Sequence, residues 1–325
     1  MRTNDTTVKY KAKAIQLINR AGKAIGNTQP TISEVVVWLI NNQPSLSRAT
    51  WRQYRAALIC YLESLAFENT ECSTDAEDAI QLLRSTDPSQ CKRHDAHTSG
   101  KKQKKISEAD QEKLIAYFVD HHPNIRHGIT TLAWLLSGIF TGLRPVEWQS
   151  AQLIISNTGD NELHIRNAKN TNGRSHGDWR IIRLSNITDS ELEIIRLQLI
   201  NVTAALGTSD VQSLENTGFE DLYRHCRDCL YKANRKLWPR KTKFISLYSA
   251  RHQFAADAKK SGLSKEAIAA LMGHASVETA GTHYGRRVSG RGGFRVTADQ
   301  SDIERVEQLN ADRLDAKLCN DSLRM

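Results

Sequence analysis

Between about residues 85 and 106 the apolar periodicity that marks the rest of this chain stops. Ser85-Thr86-Asp87-Pro88-Ser89 leads into Lys92-Arg93-His94 and then into Ser99-Gly100-Lys101-Lys102-Gln103-Lys104-Lys105. A polar, basic stretch of this kind has too little apolar surface to bury, so it reads as a linker between two separately cored parts. The 325 residues suffice for two such domains. The divisions are residues 1–90, a basic linker at 91–106, a second domain at 107–290 and a tail at 291–325.

Both parts carry helical spacing. In the first, helices are expected over Val8 to Ile25, over Ile32 to Ile40 after the turn signal Gly26-Asn27-Thr28-Gln29-Pro30, and over about Asp75 to Leu83. The clearest follows Ser45-Leu46-Ser47. Trp51, Tyr54, Leu58, Leu62 and Leu65 recur at three- and four-residue steps as one apolar stripe. Arg48, Arg52 and Arg55 fall largely off that stripe, free to be either a solvated face or phosphate contacts.

The second part opens on Ser107, an N-cap with Asp110 at capping-box distance. Helices are expected at 108–119 and 124–140, and the apolar run Ile129 to Phe140 must be central core. Thr141-Gly142 breaks that run and presents Arg144 at a turn, with Pro145 suited to the first position of a new helix. A hairpin follows, with strands Glu162 to Asn167 and Trp179 to Leu184. Further helices are expected near 190–206, 219–236, 247–261, 264–272 and 277–284. In the tail, Ser301 and Glu304 form a capping-box pattern ahead of Ile303, Val306, Leu309, Leu314 and Leu318. The fold class is therefore mainly α, a helical domain joined to an α+β domain with a small sheet.

Charge narrows the partners. The formal net charge is +9, and the tail carries more acidic than basic side chains, so the positive charge lies ahead of it. Lys and Arg that neutralise phosphates release condensed counterions, which favours a polyanion such as double-stranded DNA. No segment approaches the roughly 20 apolar residues of a membrane span, and the first residues lack the apolar core of a signal peptide. A soluble cytoplasmic protein is expected. The six cysteines are scattered and read as reduced thiols; Cys226-Arg227-Asp228-Cys229 has zinc-ligand spacing but no second pair at finger distance. No metal and no cofactor are expected.

Five side chains in the last two thirds carry chemistry. Arg144 lies in Thr141-Gly142-Leu143-Arg144-Pro145-Val146-Glu147, and Lys169 in the hairpin turn. Arg251 lies in Tyr248-Ser249-Ala250-Arg251-His252, His274 in Met272-Gly273-His274, and Tyr284 in Thr282-His283-Tyr284-Gly285-Arg286-Arg287. Two guanidiniums can neutralise the non-bridging oxygens of a phosphodiester and stay charged at any working pH. A phenol ionises near pH ~10 and attacks at neutrality only beside cations. Glu147 is placed to orient Arg144.

These strings resemble the tyrosine recombinase (phage integrase) family. The resemblance covers residues 8–290 and implies an N-terminal helical SAM-like core-binding domain ahead of a catalytic domain. It makes Tyr284 the nucleophile, Arg144 and Arg251 the phosphate grip and His274 a hydrogen-bond partner or proton acceptor. Lys169 becomes the general acid for the leaving 5′ oxygen. It also implies DNA contacts by Arg48, Arg52, Arg55, Lys101, Lys102, Lys104 and Lys105. Two departures stand out. Tyr248 occupies a place where the family usually has His, which suggests a supporting role. Tyr284 also comes one residue later than usual after His274, with His283 in the expected place.

The implied activity is site-specific cleavage and rejoining of DNA through a covalent 3′-phosphotyrosine, without metal or ATP. A homo-tetramer on paired sites, accessory DNA-bending factors, and a prokaryotic, nucleoid-associated setting accompany it by resemblance. The tail helix is open either to packing on its own domain or to docking on a neighbouring subunit. A type IB topoisomerase and a non-catalytic DNA-binding protein with a degenerate recombinase fold are the alternatives.

Overall fold

A computed structural model describes residues 4–68, 73–92, 102–122, 124–168, 170, 173–207 and 217–322. The chain divides into two compact units, Met1–His97 and Thr98–Met325. No helix among the described residues is long and apolar enough to cross a membrane.

The first unit is a helical bundle of α1 (Asn4–Ile25), α2 (Ile32–Asn41), α3 (Arg48–Glu68) and α4 (Ser73–Ser85). Thr31 starts α2 through a reciprocal capping box with Glu34. On α3, Trp51, Leu58 and Leu62 are buried against Leu17 of α1, Leu39 of α2 and Leu83 of α4, with Tyr54 and Leu65 half-buried at the margin. Arg48 and Arg52 are exposed and Arg55 is half-buried. The polar residues after α4 do not leave the unit at once. Buried Gln43 donates from Nε2 to the Asp87 carbonyl at 2.6 Å, Lys92 N–H donates to the Leu46 carbonyl at 2.9 Å, and Cys91 joins the core. These hydrogen bonds and the buried Cys91 hold that segment.

In the second unit, α5 (Glu108–Asp120) is capped by Ser107 Oγ, which accepts from the Asp110 amide. Helix α6 (Gly128–Thr141) is apolar on every side and buried from Thr131 to Ile139, as expected of a central helix. It is surrounded by α5, α7 (Asp189–Gly207), α8 (Thr217–Leu237) and α9 (Leu247–Lys260). Helices α10 (Lys265–Leu271), α11 (Val277–His283) and α12 (Gln300–Ser322) follow. Cys60, Cys91, Cys226 and Cys229 are free.

The hairpin has β3 (Asn161–Arg166) and β4 (Trp179–Arg183) in register Glu162 to Arg183 through Arg166 to Trp179. Two strands flank it that the spacing does not reveal: β2 (Gln152–Ile155), with Ile154 and Ile155 exposed, and the two-residue β6 (Thr297–Ala298). The antiparallel order is β2-β3-β4-β6. Strand β1 (Lys102–Gln103) pairs in parallel with β5 (Phe244–Ile245), and Ile106 is fully buried, so the last residues of the basic stretch belong to this unit. Pro145 opens a 3-10 turn over Pro145–Ser150 instead of an α-helix, and β2 follows after Ala151. The tail helix starts at Gln300 with Asp299 Oδ1 accepting from the Ser301 amide, which replaces the expected Ser301–Glu304 box.

Candidate active site

The site begins where α6 ends. Gly142 closes that helix with φ at 68°, in the left-handed region that favours glycine, and a Cβ there would overlap the Phe254 ring. The reversed chain delivers Arg144 into the interior, 5% exposed. The following turn folds Glu147 back onto it. Glu147 Oε2 accepts from the Arg144 backbone N–H at 2.8 Å, and Oε1 accepts from Arg144 Nη1 at 2.5 Å.

Glu147 is a hub for three arginines. Arg180 Nη2 donates to Glu147 Oε2 at 2.8 Å, and Arg251 Nη1 lies 3.7 Å from the same oxygen. Ala168 N–H reaches Oε1 at 3.3 Å. Burial alone would raise the carboxyl's pKa, but Arg180, Arg144 and Arg251 together hold it well below the usual carboxylate range. Three guanidiniums around one carboxylate leave surplus positive charge in a water-poor pocket, the condition for binding an anion tightly.

Arg251, on the second turn of α9, is fully buried and locked from several sides. Nη1 donates to the Gly142 carbonyl at 2.5 Å, Nη2 donates to the Met272 carbonyl at 2.5 Å, and Nη2 lies 3.1 Å from His274 Nε2. Its Nε donates to Tyr284 Oη at 3.4 Å. Arg144 keeps more freedom. Its Nε is buried with no hydrogen-bond partner among the described residues, an unusual state for a charged donor and one that suits an incoming acceptor.

Tyr284 sits at the C-terminal end of α11, half-buried, with Oη 2.9 Å from Tyr248 Oη. The Arg251 guanidinium carbon is 5.2 Å from the Tyr284 ring centroid. Burial works against ionisation of this phenol, but Arg251, the Tyr248 hydroxyl and Arg144 outweigh it and draw its pKa to about 8. Burial dominates at Tyr248 and pushes it up to about 12.

His274 is buried, and its ring centroid lies 5.2 Å from that of Tyr284. Burial, then Arg251, Arg144 and Arg180, hold it far below the usual imidazole range. A neutral ring whose Nε2 accepts from Arg251 carries its proton on Nδ1, which has no partner among the described residues. His252 is also neutral, lowered to about 4 by burial and then by Lys104, Arg251, Lys102 and Lys259. Lys102, Lys104 and Lys105 are exposed. Two of them are therefore close enough for their charge to be felt beside the Tyr284 ring, which lies 5.2 Å from His252.

Arg144, Glu147, Tyr248, Arg251, His274 and Tyr284 thus converge on one place. Lys169 and Lys101 lie outside the described residues. Arg180 is a further member of this cluster that sequence reading missed. Its Nε donates to the Leu271 carbonyl at 2.9 Å and its Nη1 to Asn167 Oδ1, so it ties β4 to the end of α10 just ahead of His274. The signal was present, since Arg180 shares the inward face of β4 with fully buried Ile182.

The tail helix packs on its own unit. Val306 joins Ala269 and Ala270 in a small apolar cluster. Arg313 donates to the carbonyls of Ala275 at 2.5 Å and Gly173 at 3.0 Å. Buried His176 adds a second tie, with Nε2 3.1 Å from the Ala270 carbonyl and Nδ1 3.6 Å from Asp302 Oδ1.

No family model matches the chain, and no curated protein matches it. Among solved structures it is similar to XerH site-specific recombinase bound to difH substrate in a pre-cleavage complex. That match has 18% identity over 79% of this chain and 68% of the other, with a TM-score of 0.44. It is also similar to the Tn1549 transposon integrase in complex with a circular intermediate DNA, at 14% identity over 88% and 90% and a TM-score of 0.48. XerA recombinase is a third, at 15% identity over 85% and 92% and a TM-score of 0.36.

Proposed function

We propose that this chain is a site-specific DNA recombinase of the integrase or resolvase type, which breaks and rejoins duplex DNA through a 3′-phosphotyrosine. The observation that carries this reading is the setting of Tyr284 Oη. It accepts from Arg251, is paired with a second phenol, and lies in the field of Arg144. A phenol drawn toward neutrality beside buried guanidiniums suits nucleophilic attack on a phosphodiester.

Tyr284 Oη attacks phosphorus, the phosphotyrosine ester forms, and the bond to the 5′ oxygen breaks. Lys169 protonates that oxygen. Arg144 and Arg251 stabilise the charge gathering on the non-bridging oxygens, and His274 adds a donor from Nδ1. Attack by a 5′ hydroxyl reverses the step and regenerates Tyr284. One phosphodiester is exchanged for another, so no ATP is consumed, and the positive charge comes from side chains. Arg48, Arg52, Arg55, Lys101, Lys102, Lys104 and Lys105 contact the DNA backbone. Four protomers on two duplexes carry out exchange, since each strand needs its own nucleophile.

The test is a nicked suicide duplex whose short 5′ product diffuses away. The chain should accumulate a covalent DNA adduct that Tyr284→Phe abolishes. A salt-sensitive mobility shift with no adduct would instead mark a non-catalytic DNA-binding protein. Relaxation of supercoiled DNA by a monomer would indicate topoisomerase chemistry.

A further inference from the structure

Two phenols share a hydrogen bond inside the site, and their surroundings differ. Arg251 Nε is directed at Tyr284 Oη at 3.4 Å, and its guanidinium carbon sits 5.2 Å from the Tyr284 ring centroid. Tyr248 Oη has, among the described residues, only the 2.9 Å bond to Tyr284 Oη. Arg251 and Arg144 act on both phenols, but only Tyr284 Oη accepts a hydrogen bond from Arg251, which favours the negative charge on that oxygen.

We propose that Tyr248 keeps its proton and uses it as a hydrogen-bond donor to Tyr284 Oη, so that Tyr284 releases its own proton to water before attacking. The attack rests on the recombinase reading, whereas the phenol pair does not. The step balances simply. Tyr284 Oη–H breaks, the proton passes to solvent, and the phenolate then accepts hydrogen bonds from Tyr248 and Arg251. Once Tyr284 is esterified its oxygen is a poor acceptor, and the Tyr248 hydroxyl is free to turn to a non-bridging phosphate oxygen.

The neighbouring groups agree. Helix α9 presents Tyr248, Arg251 and His252; the turn after α6 presents Arg144 with Glu147 behind it; the loop after α10 presents His274. Both histidines are weak bases here, held below the usual imidazole range, and His274 Nε2 already accepts from Arg251, so neither would retain the Tyr284 proton. The phenols are driven apart, Tyr248 up to about 12 and Tyr284 down to about 8. Tyr248 thus acts as a fixed donor to Tyr284.

The experiment is a pH titration of the full chain labelled with ¹³C at tyrosine Cζ. The eight tyrosines are told apart by Tyr284→Phe and Tyr248→Phe spectra. In the unsubstituted chain Tyr284 should ionise near pH 8 and Tyr248 well after it. In folded Tyr248→Phe, Tyr284 should titrate about one to two units higher, giving roughly 10- to 100-fold less phenolate at pH 7. Adduct formation should fall by the same factor at pH 7, and the deficit should close as pH rises. An unmoved Tyr284 titration in folded Tyr248→Phe, or Tyr248 ionising first in the unsubstituted chain, overturns the pair. The expected titrations without any adduct would uphold the pair and defeat the recombinase reading.

Discussion

Replacing Glu147 with Gln isolates the energetics of the buried charge cluster. The carboxylate faces Arg144 at 2.5 Å, Arg180 at 2.8 Å and Arg251 at 3.7 Å, and it is 1% exposed. A neutral amide leaves three guanidiniums facing one another out of water, and its NH₂ end cannot accept from them. Removing one partner of a buried ion cluster typically costs about 3–5 kcal/mol. For a unit of this size that corresponds to a fall of roughly 6–20 °C in Tm. The same geometry fixes the pH dependence. Glu147 is ionised in the folded state well below its ordinary pKa of 4.5, so its contribution is complete above the unfolded value. Below it, the unfolded chain binds the proton that the folded chain refuses, and stability falls by about 1.4 kcal/mol per pH unit until the folded pKa is passed. Thermal unfolding of both proteins from pH 7 to pH 3 reads the difference directly. The gap should be wide at pH 7 and narrow by about 2 kcal/mol between pH 4.5 and pH 3. A gap under about 1 kcal/mol at pH 7, or one that stays constant with pH, would refute the account of Glu147 as the counter-ion of three arginines.

Arg180→Met should destabilise the second unit by about 3 kcal/mol, measured by urea unfolding, because the Leu271 carbonyl and Glu147 lose a charged donor together. Gly142→Ala should cost about 2–4 kcal/mol in the same assay, combining the left-handed backbone with overlap onto Phe254. Arg313→Ala removes the bonds to the Ala275 and Gly173 carbonyls. Hydrogen exchange should then speed up in the tail helix and in the segment around Gly173 by roughly tenfold or more, while α6 stays protected; equal protection in all three would count against the tie.

The amino-acid order alone specified the helical frame and named several of the side chains that the fold gathers. Trp51, Leu58 and Leu62 declare their buried stripe by spacing, and the unbroken apolar run of α6 declares a central helix, because helical period and burial are local properties. Arg144, Arg251, His274 and Tyr284 stood out because the strings around them resemble tyrosine recombinase motifs. Spacing could not supply long-range partnership. Only tertiary structure put Arg180 under Glu147, since the three residues of the Glu147 hub beyond Arg144 come from other elements. The two-residue β6 and the exposed residues of β2 become strands only because a hairpin edge is there to accept their hydrogen bonds. The Tyr248–Tyr284 bond joins residues 36 positions apart. Which of those phenols yields its proton depends on where the Arg251 charge comes to rest, and chain folding alone sets that.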